Sequence, residues 1–422
     1  MRTQTHIADA RQQTRRFLVT AAKLLHRHGT SAHRLEATLV ACASALGERV
    51  QVFAPPTSID LAFGGKRQRS HLIRADAGEA ELARLVALDA VIASVRRGEL
   101  DVVEGQRALR RAARAPLPFG PTAVVAAFAL ASAGAARFFD GNVAAVLLSL
   151  VLGLGLGLLA LGANERIGLG RVFAPLAAFV AALVSLFAER LVPGLRAEVT
   201  TLAALIVLVP GLSLTLALTE LATRHLVSGT ARLAGSLTVF ATMAFGVAIA
   251  SALLRGLEGS LTPLVDLPSS LIDPLPEWTR VVALLLSPIG FCVLFQARLA
   301  DLPAIAAAGV LGAELSIHVG QAADPVVGAF AGALVVGLAA NAYAAWRKLP
   351  AAVILLPGLL LLVPGSLGFR SVTSFLAQDV LVAIDVGFQM ILLAVALVAG
   401  VLVANTIALP RVPSPTTEHR AV

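Results

Sequence analysis

Ten apolar stretches follow one another from residue 119 to the C-terminal tail: 119–139, 143–162, 168–188, 199–221, 232–254, 279–298, 303–319, 325–345, 350–376 and 381–408. Each approaches or exceeds the roughly 20 residues a helix needs to cross a bilayer, the seventh being the shortest. Hydrocarbon offers no hydrogen-bond partners, so a chain crossing it this way must satisfy its backbone within each segment, as helices do. Only 14% of the chain is charged and 57% is hydrophobic, whereas a soluble domain carries about 25% charged residues. The fold class is therefore a polytopic α-helical membrane protein of about ten transmembrane helices.

The first 115 residues differ. They hold 19 Lys/Arg against 11 Asp/Glu, which is the whole net charge of +8. No base-stacking aromatics accompany that charge, so it reads as the positive-inside mark of a cytoplasmic segment and no nucleic-acid partner is expected. Phe17, Leu18, Ala21, Leu24 and Leu25 lie on one face of a helix over 9–29. Leu35, Leu39, Cys42 and Leu46 do the same over 32–47, with Ser31 as its N-cap. "RVQVF", "SIDLAF" and "SHLIR" alternate as strands. A third helix follows, then a fourth opened by the capping-box-like "DVVE" at 101–104. Its Arg107, Arg110, Arg111 and Arg114 would hold this α+β head against the membrane. "TRRFLVTAAKLLHRHG" at 14–29 lacks the uninterrupted core and cleavage residues of a signal peptide.

The expected domains are a cytoplasmic head (1–115), a first five-span half (116–255), an extracytoplasmic loop (256–278), a second five-span half (279–409) and a tail (410–422). With the N-terminus inside, Arg166, Arg171, Arg224, Arg232, Arg298, Arg347, Lys348, Arg411 and Arg420 fall on the inner side. Fewer cations fall outside, and the outer loop is acidic at Glu258, Asp266, Asp273 and Glu277.

Two of the apolar stretches are interrupted alike, by "LVPGLSLTLALTE" at Pro210 and "LVPGSLGFRSVTS" at Pro364. Proline inside a helix removes a donor and clashes with the preceding turn. Carrying the 154-residue offset between them to Leu254, the end of span five, gives Ala408, the end of span ten. Five spans per copy would make the second copy enter the membrane inverted, a common plan of secondary transporters. Pro193-Gly194, in a third "LVPG", would merely end span three. Pro357 would be a kink.

"HGTSAHRLEATLVACASALG" with "PPTSIDLAFG", then "LVPGLSLTLALTELATRHLVSGTARL", then "LPAAVILLPGLLLLVPGSLGFRS" together resemble the threonine/serine exporter family, in order and over about residues 15–408. The resemblance implies an inner-membrane exporter of small polar metabolites. Threonine and serine are the substrates in some members, a dicarboxylate such as succinate in others. It also implies coupling to an ion gradient, with protons as the expected ion.

An unwound turn frees backbone N–H groups for a substrate carboxylate and carbonyls for an ammonium or cation. The expected substrate site is thus Pro210, Gly211, Ser213 and Thr215 with Pro364, Gly365, Ser366 and Arg370. Ionisable groups within spans mark coupling or gating positions. Those are Glu314 and His318, four apart on one helix face, with Glu220, Arg224 and Asp385. No cofactor, metal or catalytic set is expected. "GGKRQRS" at 64–70 lacks phosphate-loop spacing and reads as a strand connection. His26, His28 and His33 complete no metal pattern. The lipid bilayer, a small-molecule substrate, a coupling ion and a second copy of the chain are the expected partners. A membrane-tethered hydrolase acting through the head is the alternative.

Overall fold

The computed structural model of the protein describes residues 2–64, 68–165, 167–255, 268–362, 365–376 and 378–408. Pro364, Arg166, Glu258, Asp266, most of "GGKR" and the tail with Arg411 and Arg420 lie outside the described residues.

Residues 2–114 form α1 (Arg2–Arg27), α2 (Ala32–Ala45), β1 (Val50–Phe53), β2 (Ser58–Phe63), β3 (Arg69–Arg74), α3 (Leu82–Arg96) and α4 (Val102–Arg114). The three strands make one antiparallel sheet in the order β1-β2-β3. Val50 faces Phe63 across β1/β2, and Ser58 faces Arg74 across β2/β3. Period-two alternation sends Ile59, Leu61 and Phe63 of central β2 inward, where all three are fully buried. They meet Phe17, Leu18 and Leu25 of α1, Leu35 and Leu39 of α2 and Leu109 of α4 in one core. Asp101 caps α4 by accepting a hydrogen bond from Val103 N at 3.1 Å. Ser31 sits at the N-cap of α2, but its side chain makes no capping bond.

Burial pushes the imidazoles of His26 and His33 below the ordinary histidine value. His26 Nε2 lies 3.1 Å from Pro56 O and 3.2 Å from Ala75 O. Carbonyls only accept, so this nitrogen carries the proton. A lowered native pKa means the unfolded chain binds the proton first as pH falls through about 6.5. We therefore expect thermal stability to fall between pH 7.5 and 5.5, followed by calorimetry of the detergent-solubilised protein. His33→Gln should flatten that slope; a pH-independent midpoint in the native chain would contradict the reading.

Beyond residue 120 the described elements are helical: α5 (Pro121–Phe138), α6 (Val143–Glu165), α7 (Ile167–Leu191), α8 (Ala197–Leu205), α9 (Gly211–Ala222), α10 (Leu226–Arg255), the short α11 (Ser269–Ile272), α12 (Trp278–Leu294), a 3-10 turn (Leu299–Asp301), α13 (Leu302–Ala322), α14 (Pro325–Arg347), α15 (Ala352–Leu360), α16 (Gly365–Leu376) and α17 (Val380–Ala408). Among the described residues seven helices are long and apolar enough to cross a membrane, or eight if the bent pair α15/α16 is one span. The protein is thus a multi-pass helical membrane protein. The fourth and sixth apolar stretches hold shorter pieces: α8 and α9 of 9 and 12 residues, and α12 of 17. Stretch seven is longer than the sequence suggests, because the 3-10 turn and α13 run on from Leu299 to Ala322. Pro193-Gly194 follows the end of α7, with Gly194 at φ +84°. Pro357 sits within the continuous α15.

Helices in lipid pack through small residues, since hydrocarbon gives no hydrophobic drive for association. At the α7–α10 crossing a side chain on Gly246 would overlap the Pro175 carbonyl oxygen, whereas Gly235 of the same helix has open space around it. Gly246→Val should cost about 1–3 kcal/mol through forced separation of the two helices, and Gly235→Val little. Equal thermal midpoints for the two variants in detergent would contradict this.

Candidate functional site

The break between α8 and α9 spans residues 206–210. Helical bonding tightens there: Leu208 N donates to Leu205 O at 2.8 Å and Gly211 N to Val209 O at 2.8 Å. Proline at 210 supplies no donor of its own and sits as N-cap of α9. The second break follows Leu360, where Leu362 N donates to Leu359 O at 2.8 Å, and α16 starts at Gly365.

The two breaks touch. A Cβ built on Gly365 would lie 2.7 Å from Val209 Cγ1 and 3.3 Å from Gly211 Cα. Sequence positions 154 apart are thereby brought into backbone contact, with the N-termini of α9 and α16 side by side. Such N-termini leave N–H groups without intrahelical partners and carry partial positive charge.

The hydroxyls divide. Thr215 is buried, and its Oγ1 donates to Gly211 O at 3.2 Å within its own helix. Ser371 Oγ donates to Ala383 O of α17 at 2.6 Å. Ser213 and Ser366 are half-buried and take no side-chain bond among the described residues. Arg370 of α16 reaches across to α8, where its Nε is 3.1 Å from Glu198 Oε1. Pro364 is outside the described residues, so its side of the contact rests on Gly365.

Glu314 and His318 do pair, Nδ1 to Oε2 at 3.5 Å, on an exposed face of α13. Asp385 accepts from Gln389 Nε2 at 3.1 Å one turn along the surface of α17. Among the described residues neither group bonds to a residue of the breaks. Arg224 is exposed, in the left-handed conformation at φ +65°.

Glu220 is different. It is fully buried at the far end of α9. Arg232 of α10 holds it through Nε at 3.2 Å and Nη2 at 3.3 Å, and Ser228 Oγ donates to it at 2.8 Å. The fourth donor comes from the N-terminal region: Ala32 N, 3.2 Å from Glu220 Oε1. The first N–H of α2 is thus satisfied by a carboxylate 188 residues away, in the role sequence assigns to Ser31. Negative charge at a helix N-terminus is also favoured by the helix dipole. Beside it, His225 Nε2 is 3.2 Å from Glu36 Oε2, and Glu36 Oε1 accepts from Ala54 N at 3.2 Å. The rings of His33 and His225 are 6.1 Å apart. Arg34 pairs with Asp89 of α3. The "AHRLE" segment is therefore a docking element: Ala32 meets Glu220 of α9, His33 and Glu36 meet His225 in the turn after it, and Arg34 fixes α2 to α3. His225 was not foreseen. Its only signal in the sequence is its place inside the "TRHLVSGTARL" segment.

A second seam lies at the other end of α3. Leu82 N and Ala83 N donate to Phe295 O and Gln296 O at 2.9 and 3.0 Å. Gln296 also accepts from Phe119 N at 3.1 Å.

A polytopic helical body with touching helix breaks, joined through buried polar contacts to an N-terminal α/β layer, defines a multi-pass helical membrane protein with two interrupted helices in contact. Residues 16–254 match the family described as "Putative threonine/serine exporter", and residues 280–407 match "Threonine/Serine exporter, ThrE". The chain belongs to the threonine/serine exporter family. It is 28% identical over 317 residues to the "Probable threonine/serine exporter" of Mycobacterium tuberculosis, covering 71% of this chain and 57% of that protein. It is 25% identical over 377 residues to "Pheromone-regulated membrane protein 10" of Saccharomyces cerevisiae, covering 87% of this chain and 48% of that one. The protein of the same name from Eremothecium gossypii is 23% identical, with 87% and 50% covered. The chain spans about half the length of these curated relatives. No solved structure matches it.

Proposed function

We propose that the protein is a secondary active exporter of threonine- and serine-type amino acids, driven by proton entry. In this reading its ten spans form two inverted halves of five in the plasma membrane, with residues 1–115 as a cytoplasmic head. The contact of Gly365 with Val209 and Gly211 carries the proposal, because it joins the two interrupted spans at their breaks. Paired half-helix N-termini offer donors to a substrate carboxylate, and the carbonyls of Ile206, Val207 and Leu208, which accept no hydrogen bond among the described residues, offer acceptors to its ammonium. An α-amino acid needs both. Opening one side while closing the other would shift the halves about this contact. The Arg370–Glu198 pair spans the same two elements and would part or re-form with that motion.

Flux of labelled threonine, serine and succinate into everted membrane vesicles, with and without an imposed pH gradient, tests the proposal. Gradient-dependent uptake of threonine or serine is expected. Succinate uptake alone would reassign the substrate to a dicarboxylate. Absence of gradient-dependent flux of all three would remove the transport reading.

A further inference from the structure

A dense set of cations lies along the solvent side of α1. Two adjoining clefts run there, of about 890 Å³ and 660 Å³, and they share Val19, Thr20 and Arg110. The larger is bounded by Arg11 and Arg16 of α1, Arg69 and His71 of β3, and Arg110 of α4. The smaller continues past Lys23 and Arg27 to Arg114, next to the entry into α5. Gln106 Nε2 donates to Thr20 Oγ1 at 3.1 Å and ties the two walls together.

Two lining cations have carboxylate partners: Arg15 with Glu48, and Arg84 with Glu81. Among the described residues Arg11, Arg16, Lys23, Arg27, Arg69, Arg110 and Arg114 have none. Seven cations without carboxylate partners, spread along the two joined clefts and sharing Arg110, repel each other, and the low-dielectric walls focus their field. Screening by dissolved salt relieves exposed charges on a convex surface better than charges facing one another across a cleft. A multiply charged anion would relieve them most. Arginine dominates the set, and its planar fork matches phosphate oxygens in pairs. A monocarboxylate would neutralise a single cation and is too small for the clefts, which lie within the usual range of about 300–1,000 Å³ for ligand sites.

We propose that this groove binds a ligand carrying two or more phosphoryl groups or an array of them, from a soluble polyphosphorylated metabolite or from anionic lipid headgroups. The ligand would bridge α1, β3 and α4 and so brace the N-terminal layer beside the first membrane helix. The site is independent of the transport pathway, and its test needs no flux.

The test is protection of arginines from phenylglyoxal in the full-length protein, read by peptide mass spectrometry. One arm adds inorganic triphosphate to protein in a neutral detergent. The other compares nanodiscs of phosphatidylcholine with nanodiscs containing phosphatidylglycerol. Arg74, exposed on β3 but outside both clefts, is the internal control. Protection of Arg16, Arg69 and Arg110 by triphosphate, at least tenfold over Arg74, supports a soluble ligand. Triphosphate should then bind at least tenfold more weakly, by calorimetry, to Arg69→Ser/Arg110→Ser. Both side chains are exposed, so the variant should keep its thermal midpoint. Protection only by phosphatidylglycerol supports the lipid source. Labelling of these arginines at the rate of Arg74 in every condition would overturn the proposal.

Discussion

Glu220→Ala should destabilise the full-length protein by at least about 3 kcal/mol, the cost of breaking a buried ion pair from one side. Four donors converge on this carboxylate: two from Arg232, one from Ser228 and the backbone N–H of Ala32. Removing it strands a guanidinium and uncaps α2 in one step. Loss of an N-cap alone costs about 1 kcal/mol. The consequence should be regional as well as global. With its cap gone, α2 loses its hold on α9, and limited proteolysis should cut within 1–115 before it cuts the membrane helices. Glu220→Gln keeps an acceptor for Ala32 N and should fall between the two. A Glu220→Ala protein that matches the parent in thermal midpoint and proteolytic pattern would mean the carboxylate is not the anchor. Because α9 also begins at the Gly211 break, the same variant should lower flux if the N-terminal layer gates it.

Gly365→Ala should cut transport about tenfold or more while leaving the protein folded, since displacements near 1 Å at a positioned site are worth up to about a hundredfold. The new methyl would sit 2.7 Å from Val209 Cγ1, closer than packed atoms come, and 3.3 Å from Gly211 Cα. Val209 can be shortened. In Val209→Ala/Gly365→Ala the nearest clash is gone, and much of the flux should return. Such non-additivity is the mark of residues in contact. Vesicle flux at matched protein levels reads the result. Full activity in Gly365→Ala, or no recovery in the double variant, would dissociate the break contact from transport.

Much of the secondary structure could be read directly. Ile59, Leu61 and Phe63 alternate in "SIDLAF" because a strand with one buried face must, and β2 lies there. Phe17, Leu18, Ala21 and Leu25 share a helix face and are buried together. Pro210 with Gly211 marked its break, since the ring removes a donor and glycine adds freedom, whereas Pro357 alone stays within α15. Residue partners were much harder to read. Ser31 has the chemistry of an N-cap, yet the cap is Glu220. Thr215 has a hydroxyl at a break, yet it turns back to Gly211 O. Arg370 has a free charge in sequence and Glu198 beside it in space. Glu314 and His318 share a helix face as their spacing requires, but that face is exposed.

Local rules produce what could be read from the sequence. Hydropathy, period-two and helical spacing, and the stereochemistry of proline act over a few residues, so the sequence alone determined a multi-pass helical protein with a basic, mixed N-terminal layer and two interrupted helices. The tertiary structure alone decided that Gly365 rests on Gly211, that Glu220 caps α2 from 188 residues away, and that the cations of α1, β3 and α4 line a shared groove. Those pairings depend on how helices approach one another, and in lipid that is set by small residues and buried polar contacts whose partners lie far apart along the chain.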